Sequence, residues 1–248
     1  MALIDVHRAG DVIRIGINRP GKHNAIDAEL VAELAAVLDS LRHEPSILVI
    51  HSTTPGIFVA GADIAQLRDR RSNDALEGIN AHLFDRIAAH RWPVIAAVDG
   101  PAIGGGCELA LACDFRVASK RARFAQPEPQ LGILAGAGAN WRLAQVVGLQ
   151  TARRMLLAGE QLDAEQALAS GLVDELAIPE EVLDAAGALA SRMLRSSWQA
   201  LEFTKSALRL AGGEGTLRFD LAAQAVLFES EEKDQRMDRF LARRKEKK

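Results

Sequence analysis

Apolar and polar residues alternate roughly along Val12-Ile13-Arg14-Ile15-Gly16-Ile17, the period of a strand. The period then lengthens. Leu30, Val31, Leu34, Val37, Leu38 and Leu41 recur on one helical face, and Asp27 stands where an N-cap belongs. Three short apolar runs, at 47–50, 94–98 and 115–118, suit buried strands. Helices between such strands predict an α/β arrangement with parallel strands. Further on, Asp163 and Gln166 have the spacing of a capping pattern, and Gly171 is a natural helix stop. Residues 68–74 read Arg-Asp-Arg-Arg-Ser-Asn-Asp, a mobile loop or a solvated helix end. No internal period is visible.

From residue 196 the character changes. Residues 217–228 hold only Arg218, Asp220 and Gln224 as polar positions. A surface helix normally carries one apolar stripe, so a helix this apolar must be covered on more than one side. The chain ends Arg243-Arg244-Lys245-Glu246-Lys247-Lys248, which reads first as solvated charge. The predicted organisation is a core domain over 1–195 and a C-terminal helical subdomain over 196–248.

Composition narrows the function classes. A chain of 248 residues can bury a substantial core, and 48% apolar with 25% charged residues is ordinary for a soluble protein. A net charge of −3 argues against a general nucleic-acid binder, and with no Tyr and 4% aromatics base stacking has little to work with. No apolar run is long enough to span a membrane. The start, Met-Ala-Leu-Ile-Asp-Val, lacks a charged segment followed by an apolar core, so a cytoplasmic protein is expected. The two cysteines, Cys107 and Cys113, lie six apart on one predicted helix and face different ways, so buried reduced thiols are expected. The six histidines, at 7, 23, 43, 51, 82 and 90, have no metal-ligand spacing, and no metal is expected. No G-x-S-x-G supports a nucleophile-elbow hydrolase.

The candidate chemistry lies in Gly104-Gly105-Gly106-Cys107-Glu108, where a helix is predicted to begin. Glycines let a ligand approach main-chain N–H groups, and a helix N-terminus offers unpaired donors with partial positive charge. Such a place can hold an oxyanion, with Glu108 beside it to move a proton. A second carboxylate follows in Gln126-Pro127-Glu128. The run matches neither G-x-G-x-x-G nor a Walker loop. A tight strand-to-helix turn with no chemistry stays open as the alternative.

AAVDGPAIGGGCELALACDFRVAS, followed by FAQPEPQLGIL, resembles the enoyl-CoA hydratase/isomerase (crotonase) superfamily. NRPGKHNAID and GIFVAGADIAQL upstream, and AGAGANWRLAQVVG and ASGLVDEL downstream, match its other signature segments. The resemblance runs from about residue 10 to the C-terminus. GADI, GGGCE and QPE in this order are specific together, though each alone is weak.

The resemblance implies β-β-α units wound into a spiral, and a C-terminal helical part through which chains form trimers that pair into hexamers. It implies an acyl-CoA thioester substrate, with no separate cofactor because coenzyme A belongs to the substrate. Backbone N–H groups of Ala62 and Gly105 would hold the thioester oxygen. Glu108 and Glu128 would serve as catalytic acid and base, and a helix start should favour the ionised form of Glu108. Lys22, His23 and Asn24, and Ala60, Gly61, Asp63 and Ile64, would contribute backbone contacts to the CoA adenine. Gly104, Gly136 and Trp141 complete the implied substrate-binding set, with Trp141 near the acyl side. The region 68–74 would border the acyl pocket, and basic residues near the C-terminus would help hold CoA phosphates.

The pair of glutamates favours hydration of a 2-enoyl-CoA, because members that only shift a double bond often lack the residue matching Glu108. A Δ3-Δ2 isomerase, another acyl-CoA enzyme of the family, or a non-catalytic acyl-CoA-binding protein are the alternatives. The chain departs from the family at Ala135, often Pro, at Ala139-Asn140-Trp141, often Gly-Thr-Gln, and at Gln235-Arg236-Met237, usually Glu-Gly-Met. These departures bear on substrate identity more than on reaction type.

Overall fold

The computed structural model describes residues 2–210, with Ala222, Gln224, Val226, Glu231 and Gln235 beyond them. The chain divides into two compact units, Met1–Arg192 and Met193–Lys248.

The first unit opens with a hairpin of β1 (Ile4–Ala9) and β2 (Val12–Ile17), which pair antiparallel, Ile4 opposite Ile17. Next comes α1 (Ala28–Ser40), capped by the Asp27 side chain, which accepts the Leu30 N–H. β3 (Ile47–Ser52) lies parallel to β2, with Val12 beside Ile47. Three helices follow: α2 (Ile64–Asp69), α3 (Ser72–Glu77) and α4 (Ile79–Ala88). Two β-β-α passages then alternate: β4 (Val94–Val98), β5 (Pro101–Ile103) and α5 (Gly105–Ala112), then β6 (Phe115–Ser119), β7 (Arg123–Ala125), a 3₁₀ turn (Glu128–Leu131) and α6 (Ala139–Ala158). The unit closes with β8 (Leu162–Asp163), α7 (Ala164–Ala169), β9 (Glu175–Ala177) and α8 (Val182–Met193).

The first strand of each passage joins a six-stranded sheet ordered β1-β2-β3-β4-β6-β9, and the second joins a small sheet ordered β5-β7-β8. Single parallel bridges, Ile26 to Ala62 and Val59 to Ala102, continue the small-sheet path upstream. This is the spiral of β-β-α units that the resemblance implies.

Burial explains the composition of the strands. β4 is buried at all five positions and β2 at five of six, so both read as nearly continuous apolar runs, as strands covered on both faces do. β1 is buried only at Ile4 and otherwise shows Asp5, His7 and Arg8 to solvent, a polar edge that discourages further pairing. Two pairings depart from the expected parallel sheet: β1 with β2, and β7 with β8, are antiparallel. β1 and β2 are joined by a tight turn, a connection that parallel strands cannot use, whereas the 3₁₀ turn and α6 lie between β7 and β8. Asp163 and Gln166 form a capping box on α7, and Gly171 follows its end at φ +80°.

The second unit contains α9 (Trp198–Arg209), whose N-cap Ser197 accepts the Ala200 N–H. Ala222, Gln224 and Val226 are helical and exposed. The rest of the apolar stretch 217–228, Arg236 and Met237, and the basic end 243–248 lie outside the described residues.

Candidate active site

The small sheet delivers the glycine run. β5 ends at Ile103, and the next residue, Gly104, takes φ +51°. A Cβ there would lie 2.7 Å from Glu128 Oε1, so the turn needs glycine and brings the Glu128 carboxyl against the chain. At Gly106 a Cβ would fall 2.0 Å from the Val59 carbonyl oxygen. Backbone therefore packs on backbone, and the start of α5 comes to rest against the segment that carries Ala62.

This contact brings Gly105 beside Ala62. A Cβ on Gly105 would lie 3.7 Å from Ala62 N. The bridge to Ile26 uses the Gly61 carbonyl (2.8 Å) and the Asp63 N–H (2.9 Å), so the Ala62 N–H is left out of it. Gly105 is the first residue of α5, and its N–H has no acceptor within the helix.

Glu108 lies one turn into α5 and is buried. Its Oε1 accepts the N–H groups of Ala137 (2.7 Å) and Ala139 (3.2 Å), at the entry to α6. That entry is braced by Asn140, whose Nδ2 donates to the Ala135 carbonyl at 2.7 Å, and by buried Arg142, which donates to the Ala137 carbonyl at 3.1 Å. The sequence places the favourable helix terminus at α5; the donors that reach this carboxyl come from the start of α6. The net direction is also corrected. Burial pushes Glu108 above the ordinary carboxylate range, and the Ala139 and Ala137 N–H groups and the Arg142 charge offset only part of this.

Glu128 opens the 3₁₀ turn and is likewise buried. Burial, its first cause, raises its pKa to about 7; its own backbone N–H opposes the rise and the Glu108 charge adds to it. Gln126, fully buried, donates to both Glu128 oxygens at 3.2 and 3.0 Å when its amide nitrogen faces them. That contact fixes the carboxyl and favours its ionised form, against the effect of burial.

Both glutamates line one cavity of about 710 Å³. Gly104, Gly105 and Gly136 line it, as do Ala60, Gly61, Ala62 and Ile64. Leu67, Ile103, Leu131, Ile133 and Leu134 supply apolar wall, and Arg70, Ser72, Asp74 and Asn80 a polar one. Arg70, Arg71, Ser72 and Asp74 thus put four of the seven residues 68–74 on the cavity wall, while most side chains of this stretch remain solvated.

The other sequence-derived site residues lie elsewhere. Lys22, His23 and Asn24 follow the strand of β2 and touch the Ala60–Asp63 segment: His23 accepts the Ala60 N–H at 3.1 Å, and Lys22 Nζ lies 3.8 Å from Asp63. The Asn24 side chain is spent on the fold, accepting the Arg19 N–H at 2.8 Å and donating to Ser52 Oγ at 2.7 Å and the Phe58 carbonyl at 2.9 Å. Asp63 caps α2 and pairs with Arg19 at 3.4 Å. Trp141 does not line the cavity; it is 50% exposed on α6, with the Arg142 guanidinium 4.1 Å from its ring centroid. Cys107 is fully buried, and burial together with Glu108 pushes its thiol up to about 12, which removes it as a nucleophile.

Sequence reasoning missed Arg142, Asn140 and Gln126 as supports of the two carboxyls. Gln126 stands two residues before Glu128, and a polar residue inside a segment that returns to the core was its one local signal. Among the described residues no cluster of His, Cys, Asp and Glu could hold a metal ion, and no helix is long and apolar enough to cross a membrane.

Known proteins give the frame for this site. The family model for enoyl-CoA hydratase/isomerase matches residues 7–248. The short-chain-enoyl-CoA hydratase of Clostridium acetobutylicum is 33% identical over 247 residues, covering 97% of this chain and 95% of that protein. The 2,3-dehydroadipyl-CoA hydratase of Escherichia coli is 37% identical over 249 residues, covering 98% and 97%. A crystal structure of enoyl-CoA hydratase from Bacillus anthracis superposes with a TM-score of 0.92 at 25% identity, covering 98% of this chain and 97% of that one. With the spiral of β-β-α units and both glutamates in one cavity, the chain belongs to the enoyl-CoA hydratase/isomerase family.

Proposed function

We propose that this protein is an enoyl-CoA hydratase, a lyase that adds water across the 2,3 double bond of a 2-enoyl-CoA thioester to give a 3-hydroxyacyl-CoA. The observation that carries this reading is the meeting of four residues at one cavity, Ala62, Gly105, Glu108 and Glu128, of which the first two would supply backbone N–H groups. As water adds at the β-carbon, negative charge builds on the thioester oxygen. Two fixed N–H donors stabilise that charge more than the ground state, which lowers the barrier.

The glutamates divide the proton work. Glu108, held by two backbone N–H groups, takes a proton from the attacking water as its oxygen bonds to the β-carbon. Glu128, its pKa raised to about 7, is still protonated in about half of the molecules at neutral pH and delivers that proton to the α-carbon. The π electrons of the double bond pass into the enolate and return to form the new C–H bond; the proton gained by Glu108 is then lost to solvent and Glu128 regains one, so the sum is addition of one water. No cofactor beyond the CoA of the substrate enters. Lys22, His23, Asn24 and Asp63 would sit at the nucleotide end, and Gly136 at the acyl end. A cytoplasmic location and a homotrimer or dimer of trimers belong to the same reading.

The test is hydration of crotonyl-CoA, followed by loss of the conjugated thioester absorbance. Binding of the CoA ester without turnover would overturn the enzyme assignment in favour of an acyl-CoA-binding protein.

A further inference from the structure

Two helix caps on neighbouring segments are aspartates, and one arginine joins them. Asp27 caps α1, its Oδ1 accepting the Leu30 N–H at 2.9 Å. Asp63 caps α2, its Oδ1 accepting the Ala65 N–H at 3.1 Å. The second oxygen of each carboxylate turns to Arg19. Asp27 Oδ2 lies 2.5 Å from Arg19 Nη2, and Asp63 Oδ2 lies 3.4 Å from both Nη1 and Nη2. Nη1 also donates to the Ala25 carbonyl at 2.8 Å. Both aspartates are buried, and Arg19 between them is half-buried.

This clamp closes on the residue that would supply an N–H to the thioester oxygen. Ile26 precedes Asp27, Ala62 precedes Asp63, and these two form the single parallel bridge. The Ile26 N–H donates to the Gly61 carbonyl at 2.8 Å and the Asp63 N–H to the Ile26 carbonyl at 2.9 Å, one bond on either side of Ala62. Arg19 grips the bridge through Ala25 and Asp27 on one segment and Asp63 on the other. Ile26 is buried, and its Cδ1 lies 3.5 Å from where a Cβ on Gly105 would stand, so the clamped residue also backs Gly105. A neutral Ser or Asn would cap either helix as well. A carboxylate adds an oxygen that can be cross-linked, and a buried charge has to be paired. Arg19 does not line the cavity, so its effect on the reaction runs through the residues it holds.

We infer that Arg19 is a positioning residue for the thioester oxygen: its guanidinium ties the Asp27 and Asp63 caps together and so fixes the direction of the Ala62 N–H. The inference rests on the hydratase reading and adds a residue outside the cavity to its machinery. Lys22 Nζ lies 3.8 Å from Asp63 Oδ2, but Lys22 is exposed, and an ammonium lacks the planar fork that spans two carboxylates and a carbonyl. The phosphates of CoA are the competing partner for Arg19, and its donors are already engaged with Asp27, Asp63 and Ala25.

The experiment uses two variants of the full-length protein. Arg19→Lys keeps the charge between the carboxylates and loses the fork; Arg19→Gln loses both. Crotonyl-CoA is the substrate. Butyryl-CoA, isotope-labelled at the thioester carbonyl, is the ligand that binds with no double bond to hydrate. Its carbonyl stretch, read by infrared difference spectroscopy, falls as hydrogen bonds to the oxygen strengthen. The stretch should fall on binding to wild type and return part of the way to the free value in Arg19→Lys. In the same variant kcat should drop about ten- to a hundredfold with KM within about twofold of wild type, the loss expected of a displaced donor. Arg19→Gln should show the larger effect, and where it does not fold Arg19→Lys decides. A lower Tm with kcat per folded chain and the bound stretch unchanged makes Arg19 a structural ion pair only and overturns the inference. A raised KM with kcat and the stretch unchanged assigns Arg19 to the CoA phosphates and also overturns it. So does a wild-type stretch that does not fall, since no N–H then reaches the thioester oxygen. Wild-type protein that shifts the stretch, with the shift reduced in Arg19→Lys, but hydrates no enoyl-CoA defeats the hydratase reading while supporting this inference.

Discussion

Two carboxyls share one cavity here, yet their surroundings give them different work. Glu108 accepts two backbone N–H groups while Glu128 rests against Gly104 with a pKa near 7. Glu108→Gln and Glu128→Gln keep shape and remove proton transfer, so each should lower hydration about 10²- to 10⁴-fold while acyl-CoA still binds. Turnover near the wild-type value in either variant would sink the assignment. Isomerisation of a 3-enoyl-CoA needs a proton shuttle but no activated water. Glu108→Gln should therefore damage hydration more than isomerisation, measured on one preparation, and equal losses would make the glutamates one inseparable unit. The pH profile follows from the same shifts. Activity needs Glu108 ionised and Glu128 protonated, so kcat/KM should fall on the alkaline side above about 7 and on the acid side as Glu108 protonates. Stability has the matching sign. Glu128 has a folded pKa raised above its unfolded value, so its contribution is fully present below the ordinary carboxylate pKa and is lost as pH rises through about 7. Glu128→Gln should accordingly raise Tm relative to wild type at pH 8, with the difference shrinking towards pH 4; a constant difference would contradict the linkage.

Those carboxyls depend on how elements meet. Gly106 lets α5 approach the Val59 carbonyl so closely that a methyl group has no room. Gly106→Ala should force α5 outward, cost on the order of 1–3 kcal/mol as overpacking does, and part the Gly105 and Ala62 N–H groups. Thermal melting and hydration should fall together, whereas an active, fully stable variant would show that the contact does not set the N–H pair. This element-level geometry was only partly legible beforehand. Periodicity located α1 and its Asp27 cap, and the buried strands β3, β4 and β6, because their apolar patterns are local. The antiparallel β7–β8 pair escaped it, since two- and three-residue strands carry no period. The site divides the same way. GGGCE and QPE pointed to the carboxyls by resemblance, but the donors to Glu108 lie on residues 137 and 139, a long-range contact that no local pattern records.

At the scale of the whole molecule, apolar surface remains to be covered. Leu134 on the loop before α6, Trp141, Leu149 and Leu157 on that helix, and Val226 beyond α9 are each exposed in the single chain. Single exposed apolar residues are ordinary, so these alone do not mark an interface. The stretch 217–228 adds a sequence argument, with three polar residues in its length. Each large side chain moved from water into a contact contributes about 1.5–3 kcal/mol, so a few such residues per subunit are enough to hold chains together. The expected assembly is a homotrimer or two trimers joined, and light scattering at micromolar concentration should give a mass of three or six chains. Trp141→Asp would place a charge on the exposed ring position of α6. If that face is an interface, the variant should shift to smaller assemblies while crotonyl-CoA hydration per folded chain falls only where a neighbouring chain completes the site. A wild-type monomer with full hydratase activity would defeat the oligomer, and with it any need for a neighbour's basic C-terminus at the CoA phosphates.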